Sequence, residues 1–311
     1  MARSPLAGVF CVEKPAGVTS RHVVDETSKL VRSGRVGHAG TLDPLATGVL
    51  VVCVGWATRL VPLVQQQPKR YRAVFELGAT SDTDDRTGVV VPTPDAPVPT
   101  LEEIENLLPK YTGTILQVPP IYSAVKIAGE RSYDLARQGE IADLQPRPVD
   151  VHSLRLLDYQ HPRLELEMEC GSGTYVRAIG RDLGRDLGCG AIMTDLIRTA
   201  IGGFTLETAI PLSALDRQSW RTHLRPPLAI VDHFSRFTCG DIELDLLSRG
   251  CVLMIDESVS IPGTDVALIS QAGELVAVGE FDPTARRIQP RTVFPDAIKF
   301  ARSVTGSTGG R

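Results

Sequence analysis

At 311 residues the chain has room for about two domains, or one large domain with a small partner, and can bury a core without staples. It is 42% hydrophobic and 23% charged, and no apolar run approaches the ~18 residues of a membrane-spanning helix. The formal net charge of −4 does not mark a general nucleic-acid binder, yet residues 1–80 carry ten basic against five acidic side chains, a local +5 that leaves −9 on the other 231 residues. A polyanionic partner is one reading of the basic segment, and a solvated basic face is the other.

The N-terminus, Met1 to Pro5, lacks the apolar stretch of a secretory signal, so a cytoplasmic location is expected. Six cysteines (Cys11, Cys53, Cys170, Cys189, Cys239, Cys251) are scattered with no CxxC spacing and read as reduced core residues. The six histidines are equally dispersed, and no metal site is expected.

In chain order, Gly8 to Val12 reads as a strand and Lys14-Pro15-Ala16-Gly17 as a turn. A helix capped by Thr19 or Ser20 follows, with Val23, Val24, Leu30 and Val31 on one face and Gly34 after it. The next dozen residues, Gly37-His38-Ala39-Gly40-Thr41-Leu42-Asp43-Pro44-Leu45-Ala46-Thr47-Gly48, hold three glycines, a proline, a histidine and one carboxylate. They run straight into the buried strand Val49 to Val54. Glycines at that density let a backbone turn tightly or approach a ligand closely, and Asp43 in such a turn reads either as a cap or as a functional carboxylate.

Tyr71, Ala73, Phe75 and Leu77 alternate along a half-buried strand. An acidic hairpin tip, Thr80 to Gly88, leads to Val89-Val90-Val91, and Thr100 with Glu103 has the capping-box pattern of a helix start. Residues 117–148 have no clean period. Their mixture of proline, aromatic and basic side chains suits a mobile loop that closes over a ligand. Leu164 to Cys170 alternates apolar with acidic residues, and Gly171 to Thr174 turns into a helix with Val176, Ile179, Leu183 and Leu187 inward. Arg177 sits in the first turn of that helix, against the dipole, which is explained if it meets a carboxylate or phosphate. Pro226-Pro227 marks a boundary, residues from Phe237 on have the pattern of a small β module, and the Gly/Ser/Thr-rich tail reads as disordered.

Six segments occur in the order and spacing of one known family: Lys14-Pro15-x-Gly17, Gly37 to Gly48, Lys69-Arg70-Tyr71, Thr83-Asp84-Asp85-x-x-Gly88, Tyr122-Ser123-Ala124-Val125-Lys126 and Gly173-Thr174-Tyr175-Val176-Arg177. Together they resemble the bacterial TruB family, tRNA pseudouridine-55 synthases that isomerise the T-loop uridine. The resemblance covers about residues 8–205. Two positions depart from it: Ala39 stands where the family usually has Thr, and Arg59 where it often has Lys.

The resemblance implies an α+β fold with a mixed, mostly antiparallel central sheet, flanking helices and a small C-terminal β module of PUA type. It divides the chain into a catalytic domain at 1–236 with a thumb-like insertion at about 119–148, an RNA-binding module at 237–302 and a disordered tail at 303–311. It implies an isomerase that needs no cofactor, a cytoplasmic monomer whose partner is the tRNA T-stem-loop, with no membrane and no protein partner.

By the same resemblance Asp43 is the nucleophile. An opposite charge within ~4–6 Å lowers a carboxylate pKa, which is the role expected of Arg177 beside it. Tyr71 is the ring that stacks on the uracil and a candidate for proton transfer; Tyr175 and Leu196 are pocket walls. His38 fills the gap left by the flipped base. Lys14, Arg59, Lys69, Arg70 and Lys126 are candidate phosphate contacts, and Asp85 a member of the polar network around Asp43. Alternatives are a guide-RNA-dependent enzyme of dyskerin type and a non-catalytic tRNA-binding or folding protein. A retaining glycosidase would need a second, suitably spaced carboxylate.

Overall fold

The computed structural model describes residues 6–32, 34–123, 126–127, 130–131 and 144–305. Its frame is a ten-stranded sheet. The strand order is Ile210–Pro211, Gly8–Lys14, Thr47–Val54, Ala191–Ile201, Lys69–Leu77, Arg163–Cys170, Arg147–Gln160 and Gly113–Gln117, with Val36–His38 and Phe204–Thr205 attached at the side. Two contacts are parallel, Gly8–Lys14 with Ile210–Pro211 and Thr47–Val54 with Ala191–Ile201; the others are antiparallel. The fold is α+β.

Period-two patterning explains which strands are central. In Thr47–Val54, Val49, Val51 and Cys53 pack into one core while Leu50, Val52 and Val54 pack into another, so both faces are covered and the strand reads as one apolar run. Gly8–Lys14 does the same, with Val9 and Cys11 on one side and Phe10 and Val12 on the other. Lys69–Leu77 is covered on one face only. Tyr71, Ala73, Phe75 and Leu77 enter a third core, and the opposite face carries Arg70 and Arg72, paired with Glu169 and Glu165 of the next strand.

The helix Ser20–Val31 is capped by Thr19, whose side chain accepts from the His22 amide at 3.1 Å, and it buries Val23, Val24 and Val31. The helix Val176–Asp186 buries Val176, Ile179 and Leu183. It lies so close to the sheet that a Cβ on Gly180 would stand 2.1 Å from the Phe75 ring, which places the first turn of this helix, and Arg177 with it, over the sheet.

A second sheet follows the order Ser235–Cys239, Asp265–Ser270, Leu275–Asp282, Arg287–Val293 and Leu253–Met254, with the helices Asp241–Ser248 and Pro295–Thr305 beside it. Its apolar side chains join Val9, Val49 and Val51 of the main sheet in one continuous core. Trp56 stacks on Phe294 at 4.2 Å across the junction. The two sheets are therefore packed together by burial as well as joined by chain.

Three expectations are corrected. Residues 303–305, expected to be disordered, form the end of the last helix, while 306–311 lie outside the described residues. Arg147–Gln160 is a 14-residue strand whose start falls in the segment expected to be a loop. Its pairing shifts between Val151 and Ser153 and between Leu156 and Asp158, and each bulge switches the buried face, which erases the period. Five cysteines are buried, but Cys251 is exposed. Much of the thumb-like 119–148 segment lies outside the described residues.

Gly180→Ala is expected to destabilise the fold by ~1–3 kcal/mol through overpacking against Phe75, despite a helix-propensity gain of ~1 kcal/mol. A urea-unfolding midpoint that falls at constant m-value is the expected reading; an unchanged or higher midpoint would contradict the close approach.

Candidate active site

The turn that carries Asp43 is fixed from several sides. Gly40 and Gly48 bracket it at φ +101° and +97°, values that favour glycine. A Cβ on Gly48 would also meet the Arg198 carbonyl at 2.3 Å, so the parallel strand can approach only because Gly is there. The buried Ser20 hydroxyl accepts from the Leu42 amide at 2.8 Å and donates to the Leu42 carbonyl at 3.1 Å. The Gly17 amide donates to the Pro44 carbonyl at 2.8 Å. These bonds hold the residues on either side of Asp43, and its own side chain remains 35% exposed.

Arg177 reaches this turn from the helix start. Its Nε lies 3.0 Å from Asp43 Oδ2 and its Nη1 lies 3.5 Å from Asp85 Oδ2. Nη1 also donates to the Thr83 carbonyl at 2.8 Å and Nη2 to the Tyr122 carbonyl at 3.1 Å. One buried guanidinium thus binds two carboxylates and the roots of two loops, which accounts for a cation at that end of a helix. Asp85 is buried and held in turn by the Thr83 hydroxyl and the Thr87 amide, each at 2.8 Å. The hairpin tip is anchored to the central strand, since the Met193 amide donates to the Asp84 carbonyl at 3.1 Å and the Arg86 amide to the Met193 carbonyl at 3.0 Å.

Burial pushes the Asp43 carboxyl above the usual carboxylate range; Arg177 opposes that shift, Asp85 adds to it and Lys14 lowers it. The expectation that Arg177 sets Asp43 below its ordinary value is therefore corrected. The guanidinium offsets part of the desolvation and does not reverse it.

Around this pair, Leu42, Leu45, Tyr71, Val176 and Leu196 share one apolar cluster. Burial raises the Tyr71 hydroxyl above its ordinary pKa, and Arg198 lowers it in opposition. Tyr175 precedes the helix, half-buried. Its amide donates to Gln117 Oε1 at 2.8 Å, its carbonyl accepts from Gln117 Nε2 at 3.1 Å, and Arg147 lies 5.4 Å from its ring centre. His38 is half-buried in Val36–His38 with Nδ1 unpartnered among the described residues, and burial lowers its pKa.

Two of the five candidate phosphate contacts, Lys14 and Lys69, are buried inside the protein, and a third, Arg59, is exposed but tied to a backbone carbonyl. Lys14 has no exposed surface: its Nζ donates to the carbonyls of Val18 at 2.8 Å, Pro15 at 2.9 Å and Pro44 at 3.4 Å, and burial brings its pKa down to about 8. Lys69 is buried and donates to the Gln65 carbonyl. Arg59 donates to the Val293 carbonyl at 2.7 Å and lies over Phe294, tying the second sheet to the first. Arg70 is exposed and paired with Glu169 at 3.6 Å. The Lys126 side chain lies outside the described residues. Of the two departures, Ala39 is fully buried in the core shared by the sheets.

Most of the chain matches known proteins. Residues 28–176 match the N-terminal domain of the TruB family of pseudouridylate synthases, and residues 177–232 match the tRNA pseudouridylate synthase B C-terminal domain. A tRNA pseudouridine synthase B of Nitrobacter winogradskyi is 50% identical over 285 residues, 88% of this chain and 79% of that one. One from Chelativorans sp. is 38% identical over 305 residues, 93% of this chain and 96% of that one.

The chain belongs to the TruB family.

Among solved structures, a crystal structure of a Cbf5-Nop10-Gar1 complex matches with a TM-score of 0.69 and 25% identity, covering 94% of this chain and 86% of that one. Within this TruB-family fold, sequence reasoning passed over two polar residues that hold the site. Gln117, buried, clamps both backbone groups of Tyr175. Arg198, buried, reaches the Asp43 turn. For Gln117 the available signal is a polar side chain closing a strand, and for Arg198 a charge set among the apolar residues of Ala191–Ile201. Among the described residues no group of His, Cys, Asp and Glu is placed to hold a metal ion, and no helix is long and apolar enough to cross a membrane.

The Asp43 carboxyl is expected to titrate above the ordinary Asp value when followed by carboxyl-carbon NMR. Asp85→Asn should move the titration down in pH, because it removes a like charge, and Arg177→Met should move it up, because it removes the opposing cation. Shifts of the opposite sign would contradict the geometry.

Proposed function

We propose that this chain is a tRNA pseudouridine synthase that isomerises uridine 55 of the T-loop, with Asp43 as nucleophile. The observation that carries the reading is the 3.0 Å pairing of a partly exposed Asp43 with the buried Arg177, beside the wall of Tyr71 and Leu196. A carboxylate can both add to a nucleoside and leave it again. The C1′–N1 bond breaks, the uracil turns, C5 bonds to C1′, C5 gives up its proton, N1 ends carrying one, and Asp43 is released. No atom or electron is gained or lost, so no redox cofactor enters the balance.

In this reading a stacked uridine is first flipped out, at a cost of a few kcal/mol, and His38 occupies the vacated gap. Tyr71 stacks on the uracil and its hydroxyl takes part in the proton transfer; Tyr175 and Leu196 confine the base. Asp85 keeps Arg177 in place, and Arg70 and Lys126 meet the phosphate backbone, which supplies affinity with little sequence information. Residues 1–236 form the catalytic domain and 237–302 a PUA-like RNA-binding module. The enzyme works as a cytoplasmic monomer on tRNA alone. The relatives named tRNA pseudouridine synthase B, at 38% and 50% identity over most of the chain, favour this over the guide-dependent alternative.

The purified chain is expected to convert the T-loop uridine of an unmodified tRNA transcript with no added cofactor, protein or guide RNA, and to accept an isolated T-stem-loop. Turnover only after addition of a guide RNA and partner proteins would support the dyskerin-type alternative, and binding without turnover under every condition would support a non-catalytic role.

A further inference from the structure

Arg198 is 1% exposed, and among the described residues no carboxylate forms an ion pair with it. A guanidinium stays charged in a protein, and burying one without a counter-ion is costly unless its donors are used. They are used on one structure. Nε donates to the Val49 carbonyl at 2.8 Å, Nη2 to the Gly40 carbonyl at 3.0 Å and Nη1 to the Thr41 carbonyl at 3.4 Å. These are the two ends of the turn that carries Asp43.

The strand register explains how one side chain reaches so far. Ala191–Ile201 lies between the strand that follows the Asp43 turn and the strand that carries Tyr71. Arg198 is the residue paired with Gly48 on one side and with Tyr71 on the other. Directly opposed residues of an antiparallel pair share a face, so Arg198 and Tyr71 project to the same side. Arg198 lowers the Tyr71 hydroxyl against the rise that burial causes, so the two groups interact across that shared face. The planar fork of Arg can serve several fixed acceptors at once, which a lysine ammonium cannot reproduce.

We propose that Arg198 is a positioning residue of the isomerisation: its buried guanidinium holds the Asp43 turn and the Tyr71 hydroxyl in one rigid frame, so that attack and proton transfer act on the same base. The proposal rests on the roles given above to Asp43 and Tyr71. It assigns to Arg198 no contact with the RNA.

The test is single-turnover pseudouridine formation on a T-stem-loop RNA, with RNA affinity measured in parallel, for Arg198→Met and Arg198→Lys, each alone and combined with Tyr71→Phe. Both single variants are expected to slow the reaction by roughly 10²-fold, the cost of misplacing reacting groups by about 1 Å, while RNA affinity stays within about threefold of wild type. In the Tyr71→Phe background the same substitutions should cost clearly less, because one of the two groups that Arg198 positions is already gone. Wild-type rates, a loss confined to RNA affinity, or losses that simply multiply with Tyr71→Phe would overturn the proposal. Failure of both variants to fold would overturn it too, by making Arg198 a stability residue. Asp43→Asn in the same assay separates the two levels: if it retains activity, the reading of the site itself fails, whatever Arg198 does.

Discussion

The site depends on one cation shared by two carboxylates. Arg177 is buried where neither Asp43 nor Asp85 could carry its charge comfortably without it, and two of its donors also hold the Thr83 and Tyr122 carbonyls. The arrangement is not a simple activation of Asp43 by a neighbouring charge. Burial raises the carboxyl, Asp85 raises it further, and Arg177 with Lys14 restrains the rise. A carboxyl partly desolvated and held against a cation suits a group that must bond to carbon and then let go.

The rest of the fold can be seen as what keeps that balance in place. Gly180 lets the helix settle on Phe75 and so sets the height of Arg177. Ser20 and the Gly17 amide fix the flanks of Asp43 from one side, and Arg198 fixes them from the other. Met193 pins the hairpin that carries Asp85. The central strand Ala191–Ile201 contributes to the second and third of these, and it separates the turn from Tyr71. Lys14 and Arg198, buried cations with no carboxylate ion pair among the described residues, lie on backbone carbonyls of this region, so the turn is held by charge-assisted bonds.

Legibility in the sequence followed physical regularity. Lys69–Leu77 and Arg163–Cys170 were readable because one face is buried without interruption, and Thr47–Val54 because both are. Arg177 was flagged by a local conflict, a cation at a helix start, whose resolution needed a distant carboxylate. Arg147–Gln160 was lost because its bulges change the buried face partway along. Ala191–Ile201 mixes polar and apolar residues for a related reason, since bulges interrupt its pairing with Lys69–Leu77 between Met193 and Asp195 and between Arg198 and Ala200. The basic balance of residues 1–80 overstated the surface available to a polyanion, because Lys14 and Lys69 are buried and Arg59 joins the two sheets. Long charged side chains read as exposed by default, and nothing local in a sequence distinguishes one that ends on a carbonyl.

The measurement that bears most directly on this account is the single-turnover rate of pseudouridine formation by Asp43→Asn on a T-stem-loop RNA. The carboxamide preserves the size of the side chain but cannot act as the nucleophile. The account predicts a rate lowered by more than about 10³-fold with RNA binding retained. A rate within about tenfold of wild type would contradict it.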